Sequence, residues 1–322
     1  MMFFLHGRVP LNVTWMFTMA LLLSGLSISA RGYADTSTEA AAAATTATAD
    51  VVQRIREVRD TDPAAAITMA EPLFKSAQGE ARFAIGSELV EAFLKAKRID
   101  DAKSLVAKLE TDSSRDSAAR ASLLRLQLVV ATAVHVDAEI DALAEQVPTV
   151  SAATTDGIRR AELLMQLGQA RLVQSRFADS ASAFEQGLEA AGQNDSQLRF
   201  ELLQKVGVAY AQLGRYPESI ESFSEAEKVN TRLGHGDDAT FLLRFGGVFL
   251  YTGDSTRAIS YLNRALAASE ANPGQSANRG SIYNNLGTAY YGLKNFEQAA
   301  VYFRKAMDYA RDNGGNRASP MN

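Results

Sequence analysis

Small and apolar residues in the C-terminal half of the chain recur at the spacing of paired helices. Within residues 281–313, six of them stand at offsets 0, 1, 4, 13, 17 and 20, namely Leu286, Gly287, Tyr290, Ala299, Phe303 and Ala306. The first three fit one stripe of an α-helix, and the last three fit one stripe of a second helix. Residues 293–295 separate the two stripes, so the pattern predicts a helical hairpin with a short turn.

The same offsets occur in three more segments upstream, and the four repeats together span residues 158–313. Each carries a glycine at the second offset, and successive glycines are 39, 39 and 41 residues apart: Gly168, Gly207, Gly246 and Gly287. This period is typical of a stacked array of helical hairpins. Glycine inside a helix costs about 1 kcal/mol relative to alanine, so we expect a close helix contact at each one. The expected partners are small residues on the second helix: Ser180, Ser219, Ala258 and Ala299.

Residues 51–150 show the same helical periodicity less clearly, and nothing in them alternates as a half-buried strand would. The unit at residues 87–110 repeats the six offsets. Divergent hairpins are predicted on either side of it, at residues 51–77 and 118–146. The fold class predicted from these patterns is all-α.

Three segments are interpreted as connections or ends rather than repeats. The Ala/Thr-rich residues 35–50 contain nothing apolar enough to anchor a core, and we expect them to form a flexible linker. Residues 151–157 (SAATTDG) have the composition of a second linker or a long turn. Residues 314–322 form a polar tail after the last repeat.

The first 34 residues have the organisation of a secretory signal peptide. His6 and Arg8 precede an apolar run from Leu11 to Ala30, and small residues follow as far as Ala34. We therefore expect cleavage after Ala34, localisation in the periplasm or outside the cell, and no stable membrane span after signal removal. The alternative is a retained N-terminal anchor, because about 20 apolar residues can span a bilayer.

Composition and charge narrow the classes of partner. Of the 322 residues, 47% are hydrophobic and 22% are charged, with a net charge of −4. The chain can therefore bury a large core, and the absence of a basic surplus argues against nucleic acid as a partner. It contains no cysteine, which rules out disulfides and thiol chemistry and suits an oxidising compartment.

Few residues offer catalytic or metal-binding chemistry. After signal removal only His135 and His235 remain, and neither lies in a metal-ligand spacing such as HExxH. The sequence has no GxSxG elbow and no phosphate loop ending in Gly-Lys-Ser/Thr. Residues 234–238 (GHGDD) are interpreted as an inter-repeat turn with Asp238 as a helix cap. The sequence therefore predicts no enzyme activity, no metal site and no cofactor.

The repeated positions resemble the tetratricopeptide repeat (TPR) family, whose units carry Leu-Gly, Tyr, Ala, Phe and Ala at these spacings. The resemblance is strong over residues 158–313, and it implies a right-handed α-solenoid of TPR-like helical hairpins. Units in that family are typically about 34 residues long. The extra residues here lie in connections, at 192–196, 234–238 and 272–277. Arg171 replaces the aromatic residue that the family pattern has, so we expect the first clear repeat to pack less tightly.

The resemblance also implies where a ligand would bind, because first helices of successive TPR units line a concave groove. Inward positions of those helices give the candidate binding residues Gln169, Gln204, Arg244, Asn284, Asn285 and Tyr291. The family's clamp for acidic C-terminal peptides is not reproduced, since its Lys and Asn positions carry Met165, Gln169, Gln204 and Val208. The pair Asn284-Asn285 instead resembles adaptors in which an asparagine holds the backbone of an extended peptide. An amide suits that role because it both donates and accepts.

These observations favour a non-catalytic scaffold, periplasmic or secreted, that binds a peptide or protein partner. The alternative is the sensory input portion of a bacterial signalling protein of the diguanylate cyclase or histidine kinase type. In such proteins a membrane helix and an output domain follow the array, and neither is found before Asn322. Apolar residues of the final helix, 296–311, spread over more than one packing face, which predicts self-association through that helix.

Overall fold

The structure is a computed structural model that describes residues 34–112 and 116–313, and every regular element within these ranges is helical. The predicted signal peptide, apart from Ala34, and the predicted polar tail lie outside the described residues. The helices are α1 Ala34–Thr61, α2 Pro63–Ser76, α3 Gly79–Lys95, α4 Ile99–Asp112, α5 Ser117–Val134, α6 Asp137–Ala144, α7 Val147–Ala153, α8 Gly157–Val173, α9 Phe177–Ala191, α10 Gln197–Gln212, α11 Tyr216–Arg232, α12 Ala239–Tyr251, α13 Ser255–Ala271, α14 Arg279–Gly292 and α15 Phe296–Asp312. The all-α fold class is confirmed.

The chain divides into two compact units, residues 1–114 and residues 115–322. This boundary differs from the predicted one at residues 151–157. The prediction was wrong because α5 packs against α8 through buried leucines, including Leu124, Leu128 and Leu163. The residues that were interpreted as a linker are mostly helical, since α7 ends at Ala153 and α8 begins at Gly157.

In the first unit, α2 packs against α1 and α3, and α3 packs against α4. Ion pairs join α1 to α3: the buried Arg59 donates through Nη1 to Glu88 Oε2 at 2.6 Å, and the exposed Arg56 donates through Nη2 to Glu88 Oε1 at 2.7 Å. Arg59 also contacts Glu91. Because Arg59 and Glu88 are buried, losing either partner would leave an uncompensated charge.

Residues 35–50, predicted to be a flexible linker, belong to the long helix α1. The alanines that made the segment look unanchored are also the strongest helix formers, so a helix that begins among them can continue without a break. Its C-terminal half is fixed by the buried Ile55 and by the ion pairs of Arg59. The prediction overlooked that a low content of apolar residues does not exclude a helix whose other end is anchored.

In the second unit, the four predicted repeats correspond to the hairpins α8–α9, α10–α11, α12–α13 and α14–α15. The divergent hairpin before them consists of α5 followed by two short helices, α6 and α7, with Pro148 near the start of α7. Helix α5 is long and apolar enough to cross a membrane by composition alone, with a mean hydropathy of 1.2. It contacts α6, α7 and α8 through the buried core of this unit.

The repeated spacing of the glycines has a direct packing cause. A Cβ atom added to Gly168, Gly207 or Gly287 would lie within 2.7 Å of an aromatic ring at offset 17, on Phe184, Phe223 and Phe303 respectively. The small residue at offset 13, predicted as the contact, instead binds the glycine carbonyl in two repeats. Ser180 Oγ donates to Gly168 O at 2.8 Å, and Ser219 Oγ donates to Gly207 O at 2.7 Å. The close contact is thus confirmed, but an aromatic ring supplies most of it.

Candidate functional site

The first helices of the four repeats contact one another in sequence, α8 with α10, α10 with α12, and α12 with α14. Two positions of each repeat lie along this line of helices. The earlier offset is the position immediately before offset 0 of the repeat, and the later offset is three residues further on. We call these eight residues the first-helix face: Gln166, Lys205, Arg244 and Asn285 at the earlier offset, with Gln169, Val208, Gly247 and Thr288 at the later one.

Residues from neighbouring repeats meet in pairs along the first-helix face. Lys205 Nζ of α10 donates to Gln169 Oε1 of α8 at 3.0 Å. Two repeats further on, the position that a Cβ atom of Gly247 would occupy is 3.9 Å from Nδ2 of Asn285. In both pairs the earlier offset of one repeat lies next to the later offset of the repeat before it.

Lys205 is the residue of this face whose pKa is shifted from its ordinary value. Burial lowers the pKa of its amine, the positive charge of Arg244 lowers it further, and Glu201 opposes both effects. The amine also lies 6.0 Å from the centre of the Phe184 ring. A charged amine held here therefore lacks much of the solvation that it would have in water. Neither Lys205 nor Arg244 forms an ion pair with any residue that the structure describes.

Asn285 is the second distinctive residue, because its side chain is almost buried yet unpartnered. It is 9% exposed, and within the described ranges its amide makes no hydrogen bond. Its polar atoms nevertheless remain open to solvent, since no buried side-chain nitrogen or oxygen lacks a partner in this part of the chain. Nearby, Asn278 Nδ2 donates to Thr240 Oγ1 at 2.7 Å and ties α12 to the start of α14.

The other predicted site residues are more scattered. Gln204 is half-buried, and Asn284 is exposed one position before Asn285. Tyr291 is 62% exposed and packs edge-on against Phe296, with 5.4 Å between ring centres, near the turn that follows the helix. Gln169, Arg244 and Asn285 therefore hold positions of the first-helix face, and Gln204, Asn284 and Tyr291 do not.

Lys205 was not among the predicted site residues, although its position in the repeat indicated it. Lys205 has the same offset as Arg244 and Asn285, both of which were selected. For this repeat the prediction named Gln204, the preceding residue, as the inward position. Comparing equal offsets across the four repeats would have identified the residue.

Arg171, predicted to weaken the first repeat, instead connects it to the preceding hairpin. Its guanidinium contacts Asp141 of α6 and donates to Gln174 Oε1 at 2.7 Å. Hydrogen bonding from Arg171 is the main cause that lowers the pKa of Asp141. Within residues 46–111 and 116–313, no group of His, Asp and Glu side chains has the arrangement of a metal site.

The comparisons with known proteins agree with this repeat geometry. The tetratricopeptide repeat family model matches residues 198–271 and 237–312. Residues 198–312 form tetratricopeptide repeats. A search of curated protein sequences found no significant match.

Three solved structures share the TPR-type fold at low sequence identity. The apo form of RapI superimposes with a TM-score of 0.62 and 12% identity, covering 84% of this chain and 78% of that one. BtubC from P. vanneervenii gives 0.50 and 17%, covering 86% and 93%. The nearly identical TPR-like repeats of a kinesin light chain-like protein from Podosopora anserina give 0.51 and 11%, covering 63% and 100%. At these identities the likeness shows the fold.

Proposed function

We propose that this protein is a non-catalytic scaffold that binds an extended peptide segment of a protein partner along the first-helix face. The observation that carries the proposal is the amide of Asn285, which is nearly buried but has an open donor and an open acceptor. A peptide backbone offers the matching acceptor and donor. A polar group that is removed from most of its solvent gains more from such a partner than an exposed one does.

The neighbouring residues support the same mode of binding. Gly247, next to Asn285, has no side chain that would keep a backbone away, and a Cβ atom there would meet nothing closer than the Asn285 amide at 3.9 Å. The face also carries side chains from all four first helices, so a ligand could contact successive repeats. If the chain is the input module of a signalling protein rather than a scaffold, we propose that its ligand binds to the same face. The proposed binding step is then the same for both functions.

The test is the effect of Asn285→Ala on affinity for peptides selected from a displayed library of random sequences. One lost neutral hydrogen bond is worth about 0.5–1.5 kcal/mol, so we expect a roughly two- to tenfold weaker affinity with unchanged helicity. Gln298→Ala is the matched control, since it removes an exposed amide from α15. Equal affinities for wild type and Asn285→Ala would contradict the proposal.

We also propose that the protein is exported to the periplasm or secreted. The support is the sequence of residues 1–34, with its apolar run and small residues before the expected cleavage point. Trp15 is the one tryptophan of the chain and lies inside this segment. The exported protein should therefore have the intact mass of residues 35–322 and show tyrosine emission only. A mass that retains residues 1–34 would rule out cleavage.

A second candidate interaction is self-association through α15. Met307 on this helix is 63% exposed, and Phe303 is only half-buried. At the same offset as Phe303, Phe184 and Phe223 of earlier repeats are fully covered. Each earlier second helix is covered by the first helix of the next repeat, so α15 offers a face that fits a helix of a second copy.

A further inference from the structure

We propose that the turns inside the last three repeats form an edge of the array that binds to the surface of a lipid bilayer. The inference goes beyond peptide binding on the first-helix face, because it concerns the ends of the helices and not their sides. We call this surface the turn edge, and it consists of Leu213, Tyr216, Tyr251, Tyr291, Leu293 and Phe296.

Exposed apolar side chains are concentrated on the turn edge. Eight large apolar side chains are exposed in the part of the chain that the structure describes, and five of them belong to this edge, with 37% to 62% of their surface open to solvent. Single exposed apolar residues are normal on a protein surface, whereas a cluster of them marks an interaction surface. The residues also recur by position, since Leu213 and Leu293 have the same offset in their repeats, as do Tyr216 and Phe296.

Contacts between neighbouring turns make the edge continuous. The ring of Tyr216 lies parallel to that of Tyr251 in the next repeat, with 5.7 Å between ring centres. One repeat further on, Gly292 packs so closely on Ser255 that an added Cβ atom would overlap the hydroxyl oxygen of the serine. The turns of three successive repeats are therefore packed side by side and present one surface.

The charged residues of this edge are balanced within each turn. Every turn carries one cation and one carboxylate three positions apart, namely Arg215 and Glu218, Asp254 and Arg257, and Lys294 and Glu297. The first two of these couples form ion pairs, at N···O distances of 2.9 and 2.5 Å. The edge therefore has no excess of one sign that would select a nucleic acid or another highly charged partner.

A bilayer surface matches this combination of apolar, aromatic and balanced charged groups. Leucine and phenylalanine side chains can enter the hydrocarbon, while tyrosine places its ring at the boundary and its hydroxyl among the headgroups. With the charges balanced, the buried apolar area sets the strength of binding, and anionic lipid is not required. The rings of Tyr216 and Tyr251 stack on each other, so they leave no slot between them for a proline-rich segment, which is another ligand of aromatic surfaces.

The test places a lipid-sensitive fluorophore at chosen positions of the full-length protein. The chain has no cysteine, so a single cysteine can be introduced and labelled at each position. Gln212→Cys and Thr252→Cys label the turn edge, and His235→Cys labels an exposed connection at the opposite end of α12. With phosphatidylcholine vesicles, we expect the emission of the first two labels to shift to the blue and to be quenched by nitroxide-labelled lipid. The label at position 235 should show neither effect.

A position-specific signal is needed because the apolar run of residues 11–30 can itself enter a bilayer. Tyr291→Ser combined with Leu293→Ser should raise the lipid concentration for a half-maximal shift at position 252 roughly tenfold or more, since burial of one such side chain is worth about that factor. Ile158→Ser is the matched control, because it removes an equally exposed apolar side chain from the start of α8, far from the turns, and should leave the signal unchanged. Circular dichroism should show the same helicity for every variant.

Each contrary outcome would overturn the inference. Labels on the turn edge that do not respond to vesicles would exclude the bilayer as the partner. A shift that requires phosphatidylglycerol in the vesicles, or that disappears in high salt, would mean charge attraction and not apolar insertion. A shift that grows with protein concentration in the absence of lipid would assign the edge to contacts between two copies of the chain. None of these results bears on the peptide affinity of Asn285→Ala, so the proposed function is tested separately.

Discussion

At the scale of single residues, the repeat depends on a glycine that lies under an aromatic ring. At Gly207, an added Cβ atom would lie 2.7 Å from Phe223 Cδ2, and the ring of Phe223 is fully buried. That ring is stacked on Phe245, with 5.3 Å between ring centres, and cannot move aside freely. Gly247 is different, because only the Asn285 amide lies within 4 Å of such a Cβ atom.

This contrast predicts opposite effects for two identical substitutions in helices. Gly207→Ala should lower the free energy of unfolding, because overpacking costs about 1–3 kcal/mol and exceeds the gain of about 1 kcal/mol in helix propensity. Gly247→Ala should raise it by up to about 1 kcal/mol, since it gains the same propensity without the clash. Urea denaturation followed by circular dichroism measures both. Equal shifts in the two variants would mean that the ring contact does not explain the glycine.

At the scale of elements, each of three connections between repeats accepts a hydrogen bond from a side chain on the second helix of the repeat that follows it. Arg232 Nη2 at the end of α11 donates to Asp195 Oδ1 at 2.9 Å, and Arg264 Nη2 of α13 donates to Asp237 Oδ1 at 2.7 Å. In the last repeat, Tyr309 Oη donates to the carbonyl oxygen of Ser276 at 2.6 Å. Each of the longer connections is therefore tied at one residue to the repeat that follows it.

The elements themselves could be predicted from the sequence, whereas these contacts could not. Apolar spacing located the hairpins because burial of one helical stripe depends on positions a few residues apart. The pairing of Arg232 with Asp195 joins residues 37 positions apart, and no periodic pattern encodes it. For the candidate site, the offsets indicated Arg244 and Asn285. The burial of Lys205 became visible only when α8 and α10 were placed side by side.

At the scale of the whole molecule, the two compact units differ in how clearly the sequence reveals them. The second contains the regular repeats, and its divergent first hairpin was assigned to the wrong unit because α5, α6 and α7 lack the repeated offsets. Long-range packing of Leu124 and Leu128 against α8 decides the boundary. A change of composition, as in residues 151–157, does not mark a boundary when a buried core continues across it.

The exposed face of α15 provides a prediction about the assembly of the whole molecule. If a second copy covers this face, the weight-average mass should rise with concentration in sedimentation experiments, and Met307→Glu should shift the equilibrium towards the monomer. The reason is that a carboxylate at this position would be desolvated in the interface without a partner. Gln298→Glu, on an exposed position of the same helix, adds the same charge and should leave the association unchanged. A wild-type protein that stays monomeric at high micromolar concentration would contradict self-association through α15, as would equal association of wild type and Met307→Glu.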